Sequence, residues 1–199
     1  MKIHTQLLIA VIILLAACQQ NQKQYDNYSE LEKQSEQCMD DYLKGHDVKW
    51  KEIKPVFEDY FASAEITNPE DDLSKQYMDI LKYWANPSGR FPAFKEKAKI
   101  LKIKEKLDLG KSEIMANKHL SCFRKIYEEH EASVDSSSAY ATFGKTLKAV
   151  NNAPNVSPGI VAGGLFSGIE EEDLEKAVYQ KAITMMFVFD MSVFLPDGA

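Results

Sequence analysis

Apolar side chains recur at intervals of three and four residues along most of this chain, which is the spacing of amphipathic helices. A first helix is predicted up to Gly45, and Ser29 with Glu32 predicts a capping box at its start. A second helix is predicted after Asp47. Pro55 lies in this segment, so either the helix kinks there or a short turn precedes its real start.

The clearest helical signal lies in the third segment, where one apolar face repeats over three turns. Its positions are Leu73, Tyr77, Ile80, Leu81 and Trp84. Further apolar stripes predict helices over residues 112–126 and 140–150. Residues 92–107 are also predicted to be helical, but partial alternation from Lys97 to Lys104 leaves a β-hairpin as the alternative.

The C-terminal segment has a different pattern from the rest. It opens with acidic residues between Glu170 and Glu175, which suit the positive end of a helix dipole. From Ala182 to Leu195 it is apolar on almost every side, so we expect this helix to be surrounded by others. The predicted fold is therefore all-α: an irregular bundle of about six helices with the apolar C-terminal helix at its centre. The helical domain is predicted over residues 29–199, with a division into 29–132 and 139–199 as an option.

The N-terminus carries a targeting signal. Lys2 is followed by an unbroken apolar run from Leu7 to Leu15, which is too short to cross a hydrocarbon core of about 30 Å. Such a run behind a positive charge is typical of a secretory signal. The residues that follow it, Leu15-Ala16-Ala17-Cys18, resemble the lipobox of bacterial lipoproteins. The resemblance implies that residues 1–17 are removed as a signal peptide and that Cys18 carries fatty acids such as palmitate.

The resemblance also implies a location. Residues 18–28 are polar and are predicted to form a tether that holds the domain within about 15–18 Å of the bilayer. In such families an Asp after the lipidated Cys retains the protein in the inner membrane; Gln19 stands there in this chain and favours the outer membrane. We therefore expect a protein of the bacterial cell envelope that contacts the membrane through its N-terminal lipid.

Composition and charge limit the classes of protein and partner that fit this chain. The 199 residues are 45% hydrophobic and 27% charged, as is typical of globular proteins. The formal net charge of −6 argues against nucleic acid as a partner. With Cys18 lipidated, Cys38 and Cys122 remain, and an oxidising envelope favours their pairing. Two separate buried thiols are the main alternative, and a metal site with His46 and His119 is a remoter one because the spacing fits no zinc pattern.

Four lysines form one ridge of the helix predicted over 92–107: Lys95, Lys99, Lys102 and Lys106. The ridge would suit lipid headgroups or an acidic partner, but it would equally be a solvated helix face. If residues 97–104 were a strand, no such ridge would exist.

Two other features are candidates for function. Residues 155–169 carry no charge and contain four glycines, so this segment is either packed tightly against the core or an apolar flap over a groove or bilayer. Asp190 lies in an apolar stretch, where burial would raise its pKa unless a cation pairs with it. A perturbed carboxylate in a cleft is a site candidate, although buried ion pairs produce the same perturbation.

No catalytic residues, metal site or cofactor are predicted, because no nucleophile and base stand at a recognisable spacing. The expected role is binding, scaffolding or an accessory function, with a protein partner in the envelope as a further expectation. One alternative is an envelope hydrolase with a site in the helical bundle, assembled from Asp190 or the histidines. The other is an inhibitor or immunity-type lipoprotein.

Overall fold

The computed structural model describes residues 30–86, 91–110, 118–153 and 156–191. These ranges form eight α-helices and contain no β-strand, which confirms the all-α prediction and corrects the expected number of about six. The helices are α1 (residues 30–45), α2 (Trp50–Ser63), α3 (Leu73–Ala85), α4 (Lys97–Lys106), α5 (Ser121–His130), α6 (Ala139–Asn152), α7 (Pro158–Phe166) and α8 (Ala177–Met186). The predicted signal peptide, Cys18 and tether lie outside the described residues.

The fourth predicted segment is a helix and not a hairpin, but it is shorter than predicted. The segment α4 begins at Lys97, so Lys95 precedes the helix and only three of the four lysines lie on it. The next predicted helix covers residues 112–126, of which residues 112–117 lie outside the described residues. Its described part starts with a 3-10 turn, Lys118–Leu120, which leads into α5. Pro55 lies inside α2, whose first residue is Trp50, so the helix begins five residues before the proline.

The predicted C-terminal helix is divided into parts. A 3-10 turn, Glu171–Glu175, is closed by a capping box in which Glu170 and Asp173 bind each other's backbone N–H groups. Lys176 is then extended, with φ −81° and ψ 127°, and α8 starts after it. A π-turn, Phe187–Met191, ends the described chain. The acids of this segment therefore cap a separate turn instead of opening one long helix.

The central position predicted for the apolar segment is confirmed for its described part, and residues 192–195 lie outside the described residues. Every residue of α8 from Val178 to Met186 is buried. Phe187 then enters a cluster of aromatic rings, with centroid distances of 4.7–5.9 Å to five of them. The five are Phe57, Tyr60 and Phe61 of α2, Trp84 of α3, and Phe91. All eight helices contribute side chains to one buried core.

Helix α1 is attached by polar contacts and a covalent bond as well as by apolar packing. Its buried apolar side chains are Leu31, Met39 and Leu43. Cys38 forms a disulfide with Cys122 of α5, with 6.1 Å between the two Cα atoms. The predicted pairing is confirmed, and the alternatives of separate thiols or a metal site are wrong.

The uncharged glycine-rich segment forms α7, which packs against α3. A Cβ on Gly159 would lie 3.7 Å from the carbonyl oxygen of Trp84, so the two backbones approach closely there. The outer side of α7 leaves Ile160 68% exposed and Phe166 39% exposed. This segment is therefore a packed helix with an apolar outer face.

Candidate functional site

A cleft of about 610 Å³ opens between α2 and the chain that leads into α4. One wall is a single face of α2: Lys51, Glu52, Pro55, Val56, Asp59, Tyr60 and Ser63. The facing wall consists of Ala93, Phe94, Lys95, Glu96 and Lys99. At 1.5 Å per residue, the α2 wall is about 18 Å long. A volume in this range is usual for sites that hold a small ligand.

The floor of the cleft is apolar and tightly held. Val56, Tyr60 and Phe94 are buried, and the rings of Tyr60 and Phe94 lie edge to face with centroids 5.0 Å apart. The Tyr60 hydroxyl donates a hydrogen bond of 2.9 Å to the carbonyl oxygen of Pro92. Burial, and secondarily the nearby Tyr83, raise the pKa of Tyr60 well above its usual value, so this phenol stays protonated and keeps donating. The hydrogen bond therefore fixes the facing wall to α2.

The rim of the cleft carries charges of both signs. Three lysines and three carboxylates line it: Lys51, Lys95, Lys99, Glu52, Asp59 and Glu96. Lys99 Nζ lies 3.6 Å from Glu96 Oε2, and both side chains are about half exposed. The charges of the lining cancel, whereas the whole chain has a net charge of −6. The cleft is thus equipped to contact cationic and anionic groups together.

Pro55 removes one backbone hydrogen bond from the α2 wall. In a helix the N–H of residue 55 would bond to the carbonyl oxygen of residue 51, but proline has no N–H to donate. The proline ring takes the place of that N–H beside the Lys51 carbonyl, and both residues line the cleft.

Only two of the four predicted contact lysines line the cleft. Lys95 and Lys99 line the cleft, whereas Lys102 and Lys106 are exposed on α4 and do not line it. Sequence reasoning did not identify the opposing charges on α2, because they lie some forty residues earlier in the chain. The available signal was Pro55, which marks an irregular position within an otherwise amphipathic helix.

Asp190 is buried, as its apolar surroundings suggested, and it meets His119. The His119 Nε2 and Asp190 Oδ2 atoms are 3.5 Å apart, and the two side chains are 0% and 4% exposed. The His119 ring also packs edge to face on Phe189, with centroids 5.4 Å apart. Helix α4 packs against the same π-turn, and its Lys104 is fully buried. This cluster lies in the core, and none of its members lines the cleft.

Other kinds of site find less support. In the described ranges, no group of three or more His, Cys, Asp or Glu side chains is arranged to hold a metal ion. Across the same part of the chain, no helix is both long and apolar enough to span a membrane. Comparison of the chain with protein-family models, curated proteins and solved structures found no match.

Proposed function

We propose that this chain is a lipid-anchored protein of the bacterial cell envelope that acts by binding, as a scaffold or accessory protein. The lipobox-like residues ending in Cys18 support the anchor. The disulfide between Cys38 and Cys122 supports an oxidising compartment, since such bonds persist outside the reducing cytosol. The observation that carries the binding role is the mixed-charge cleft between α2 and α4.

The lining of the cleft suits binding better than covalent catalysis. An apolar floor with a few polar groups at the rim is the usual design of a ligand site. None of the twelve described residues that line it is a His or a Cys. The Ser63 hydroxyl also lines the cleft, and it donates a hydrogen bond of 3.0 Å to the Tyr60 carbonyl oxygen. That bond directs the hydroxyl hydrogen to the backbone of its own helix, whereas a nucleophilic serine gives its proton to an adjacent base.

An envelope hydrolase is the second candidate, because His119 and Asp190 form the kind of pair that orients a catalytic base. Their burial argues against it, since a substrate could reach them only after the core opened. A fluorophosphonate probe applied to the purified protein tests this candidate. We expect no labelling; labelling that disappears in His119→Gln would place the hydrolase ahead of the binding role.

The anchor is tested by labelling cells with palmitate and separating their membranes. Wild-type protein is expected to incorporate the label and to sediment with membranes, whereas Cys18→Ala is expected to do neither. The double variant Cys38→Ser with Cys122→Ser is the matched control, because it removes the other two cysteines and keeps the lipid site. If Cys18→Ala remains in the membrane fraction, the proposed anchoring is wrong.

The binding role is tested by screening small-molecule fragments against the full chain in detergent micelles, with amide chemical shifts as the readout. We expect perturbed shifts to cluster at residues that line the cleft. Ser63→Trp places a bulky ring at an exposed position in the cleft and should abolish them. Ser133→Trp, which is exposed on a turn far along the chain, should leave them unchanged. Shifts spread over the whole surface, or unaffected by Ser63→Trp, would contradict a binding role for the cleft.

A further inference from the structure

We infer that the outer face of α7 lies on the surface of the bilayer that holds the N-terminal lipid. The inference rests on the proposed anchoring and adds which side of the domain faces the lipid. Three observations lead to it: the exposed apolar side chains of α7, the place where the predicted tether joins the domain, and the distribution of charge around this helix.

The outer face of α7 is apolar and open to solvent. The buried stripe of this helix consists of Val161, Ala162 and Leu165. Ile160 and Phe166 lie outside that stripe and are 68% and 39% exposed. In the described ranges only one other large hydrophobic side chain is exposed, and it is Leu73 of α3, the helix against which α7 packs. The exposed large apolar side chains of the described chain are therefore confined to α7 and its neighbour.

The predicted tether joins the domain on the side where α7 ends. It precedes α1, which begins at residue 30, and Ser35 in the second turn of α1 is hydrogen-bonded to Tyr140 of α6 at 2.8 Å. Two residues further along α6, Thr142 donates a hydrogen bond of 3.0 Å to the carbonyl oxygen of Gly168, which follows α7. The first turn of α6 therefore links the start of α1 to the end of α7.

The tether is short compared with the domain. Its expected reach of about 15–18 Å is less than half of the diameter of about 40 Å that a domain of this length has. Glu32 in the first turn of α1 also accepts a hydrogen bond of 2.9 Å from Lys176, which follows the turn after α7. The surface that the tether brings to the bilayer is thus the one around the start of α1, and the end of α7 belongs to it.

The charges around α7 favour a bilayer with neutral headgroups. Residues 155–169 carry no charge, so no ion has to be dehydrated when this face meets lipid. The next three residues, Glu170, Glu171 and Glu172, are acidic and exposed. An anionic bilayer would repel them, whereas a zwitterionic one would not.

The lysine ridge of α4 is the competing surface for a membrane contact, and its Lys102 and Lys106 are exposed. It lies toward the opposite end of α1, where Tyr42 donates a hydrogen bond of 2.7 Å to the carbonyl oxygen of Leu107, directly after α4. Tyr42 is about 18 Å along the helix axis from residue 30. The tether therefore brings α7 closer to the bilayer than the ridge.

The contact is small and depends on the tether. Two partly exposed side chains bury too little apolar area to recruit a free protein to a membrane. A short flexible tether raises the local concentration of the bilayer surface to the millimolar range, at which even a weak contact is populated. The face of α7 is therefore expected to lie on lipid only when Cys18 holds the chain there.

The first experiment places a fluorescent reporter on each of the two surfaces. The full chain with its lipid is reconstituted in phosphatidylcholine vesicles whose acyl chains carry bromine, which quenches any tryptophan that touches them. Ile160→Trp should lose about half of the emission that it adds to the wild type, because a millimolar local concentration is comparable with the affinity of a small apolar contact. Lys102→Trp, at an exposed position of the ridge, should lose none. Quenching of Lys102→Trp equal to or greater than that of Ile160→Trp would overturn the inference.

The second experiment adds one charge to the face of α7. Phe166→Trp serves as the reporter, and Ile160→Asp in the same chain should abolish its quenching, because the new carboxylate would have to be dehydrated at the lipid. Ala98→Asp adds the same charge at an exposed position of α4 and should leave the quenching unchanged. Anionic phosphatidylglycerol added to the vesicles should reduce the quenching, because the acids after α7 are repelled. If the two aspartate variants act alike, or if anionic lipid increases the quenching, the inference is wrong.

The anchoring and the contact can fail separately. Ile160→Trp combined with Cys18→Ala should show no quenching at the same lipid concentration, and quenching equal to that of the anchored chain would overturn the role given to the tether. If the chain stays on the vesicles but Ile160→Trp is not quenched, the inference is overturned and the anchoring stands. A dimer that Ile160→Asp dissociates would then assign this face to a second copy of the chain. If the chain does not stay on the vesicles, the anchoring fails and the inference fails with it.

Discussion

Helices α1 and α8 are held in the same core by different kinds of contact. All residues of α8 from Val178 onward are buried, most of them apolar, and Phe187 follows the helix into a cluster of aromatic rings. Helix α1 meets α8 through what we call the polar seam, in which carboxylates of α1 receive hydrogen bonds from α8 and the residue before it. Lys176 and Tyr179 donate to Glu32 at 2.9 and 2.5 Å, and Lys181 donates to Glu36 and Asp40 at 3.1 and 2.7 Å.

The difference lies in how each contact stabilises the fold. Apolar burial contributes about 25 cal/mol for each Å² removed from water, in any orientation. Ion pairs gain less, because the loss of hydration offsets much of the attraction. The polar seam therefore contributes more to the position of α1 than to the free energy of unfolding. The disulfide to α5 has to supply part of the attachment. Helix α1 is also the element that the predicted lipid tether would join.

Removal of the disulfide is expected to have the largest effect on how α1 is held. Its two cysteines are 84 residues apart, and Cys38→Ser with Cys122→Ser should lower the free energy of unfolding by about 4–4.5 kcal/mol in the chain-entropy model. Urea titration measures this loss. Hydrogen exchange should show protection lost first in α1, while α2, α3 and α8 remain protected. A uniform loss over all helices would show that apolar packing and the polar seam hold α1 without the disulfide.

The aromatic cluster is tested by Phe187→Ala, which leaves a cavity among the rings of α2 and α3. We expect a loss of about 3–5 kcal/mol in the free energy of unfolding, as for other buried phenylalanines. Phe166→Ala is the matched control, because that ring is 39% exposed on α7 and should cost much less. In contrast to loss of the disulfide, Phe187→Ala should weaken exchange protection in several helices together. Protection lost in a single helix would contradict a shared core.

A smaller effect is expected from the polar seam itself. Lys181 is 5% exposed and lies over the Trp50 ring, but its partners Glu36 and Asp40 are 34% and 45% exposed. Water can therefore solvate both carboxylates once the lysine is gone. Lys181→Ala should cost about 1–3 kcal/mol, and Lys181→Met less than about 1 kcal/mol because it keeps the apolar stem. Thermal unfolding measures both; equal losses would assign the effect to the charge and not to packing.

The smallest effect is expected at the surface pair of Glu131 and Lys148, whose charged atoms are 2.7 Å apart. The hydrogen bond from Lys148 lowers the pKa of Glu131, so the folded state favours the ionised carboxyl. The resulting stabilisation is present above the ordinary pKa of a glutamate and is lost as pH falls through the lowered value. Lys148→Ala should slightly lower the melting temperature near neutral pH and not in strong acid. A difference that grows in acid would contradict this sign.

Much of the fold could be predicted from periodicity, but its irregular points could not. The repeat at Leu73 and Tyr77 predicts α3 correctly, since a helical face follows from nearby residues. The break at Lys176 was missed because a run of acids suits a long helix and a separate capped turn equally well. The burial of Asp190 could be anticipated from its apolar neighbours, but its partner His119 could not, because the two are 71 positions apart.

By itself, the sequence determined that the fold is all-α, that the last apolar segment lies at the centre, and that Cys38 and Cys122 could pair. These properties depend on residues within a few turns of one another or on the chemistry of one residue type. Only the tertiary structure decided that Lys95 and Lys99 share a cleft with α2 while Lys102 and Lys106 do not. The physical reason is that a cleft forms where two packed segments fail to fill the space between them, and this depends on distant side chains that no local pattern contains.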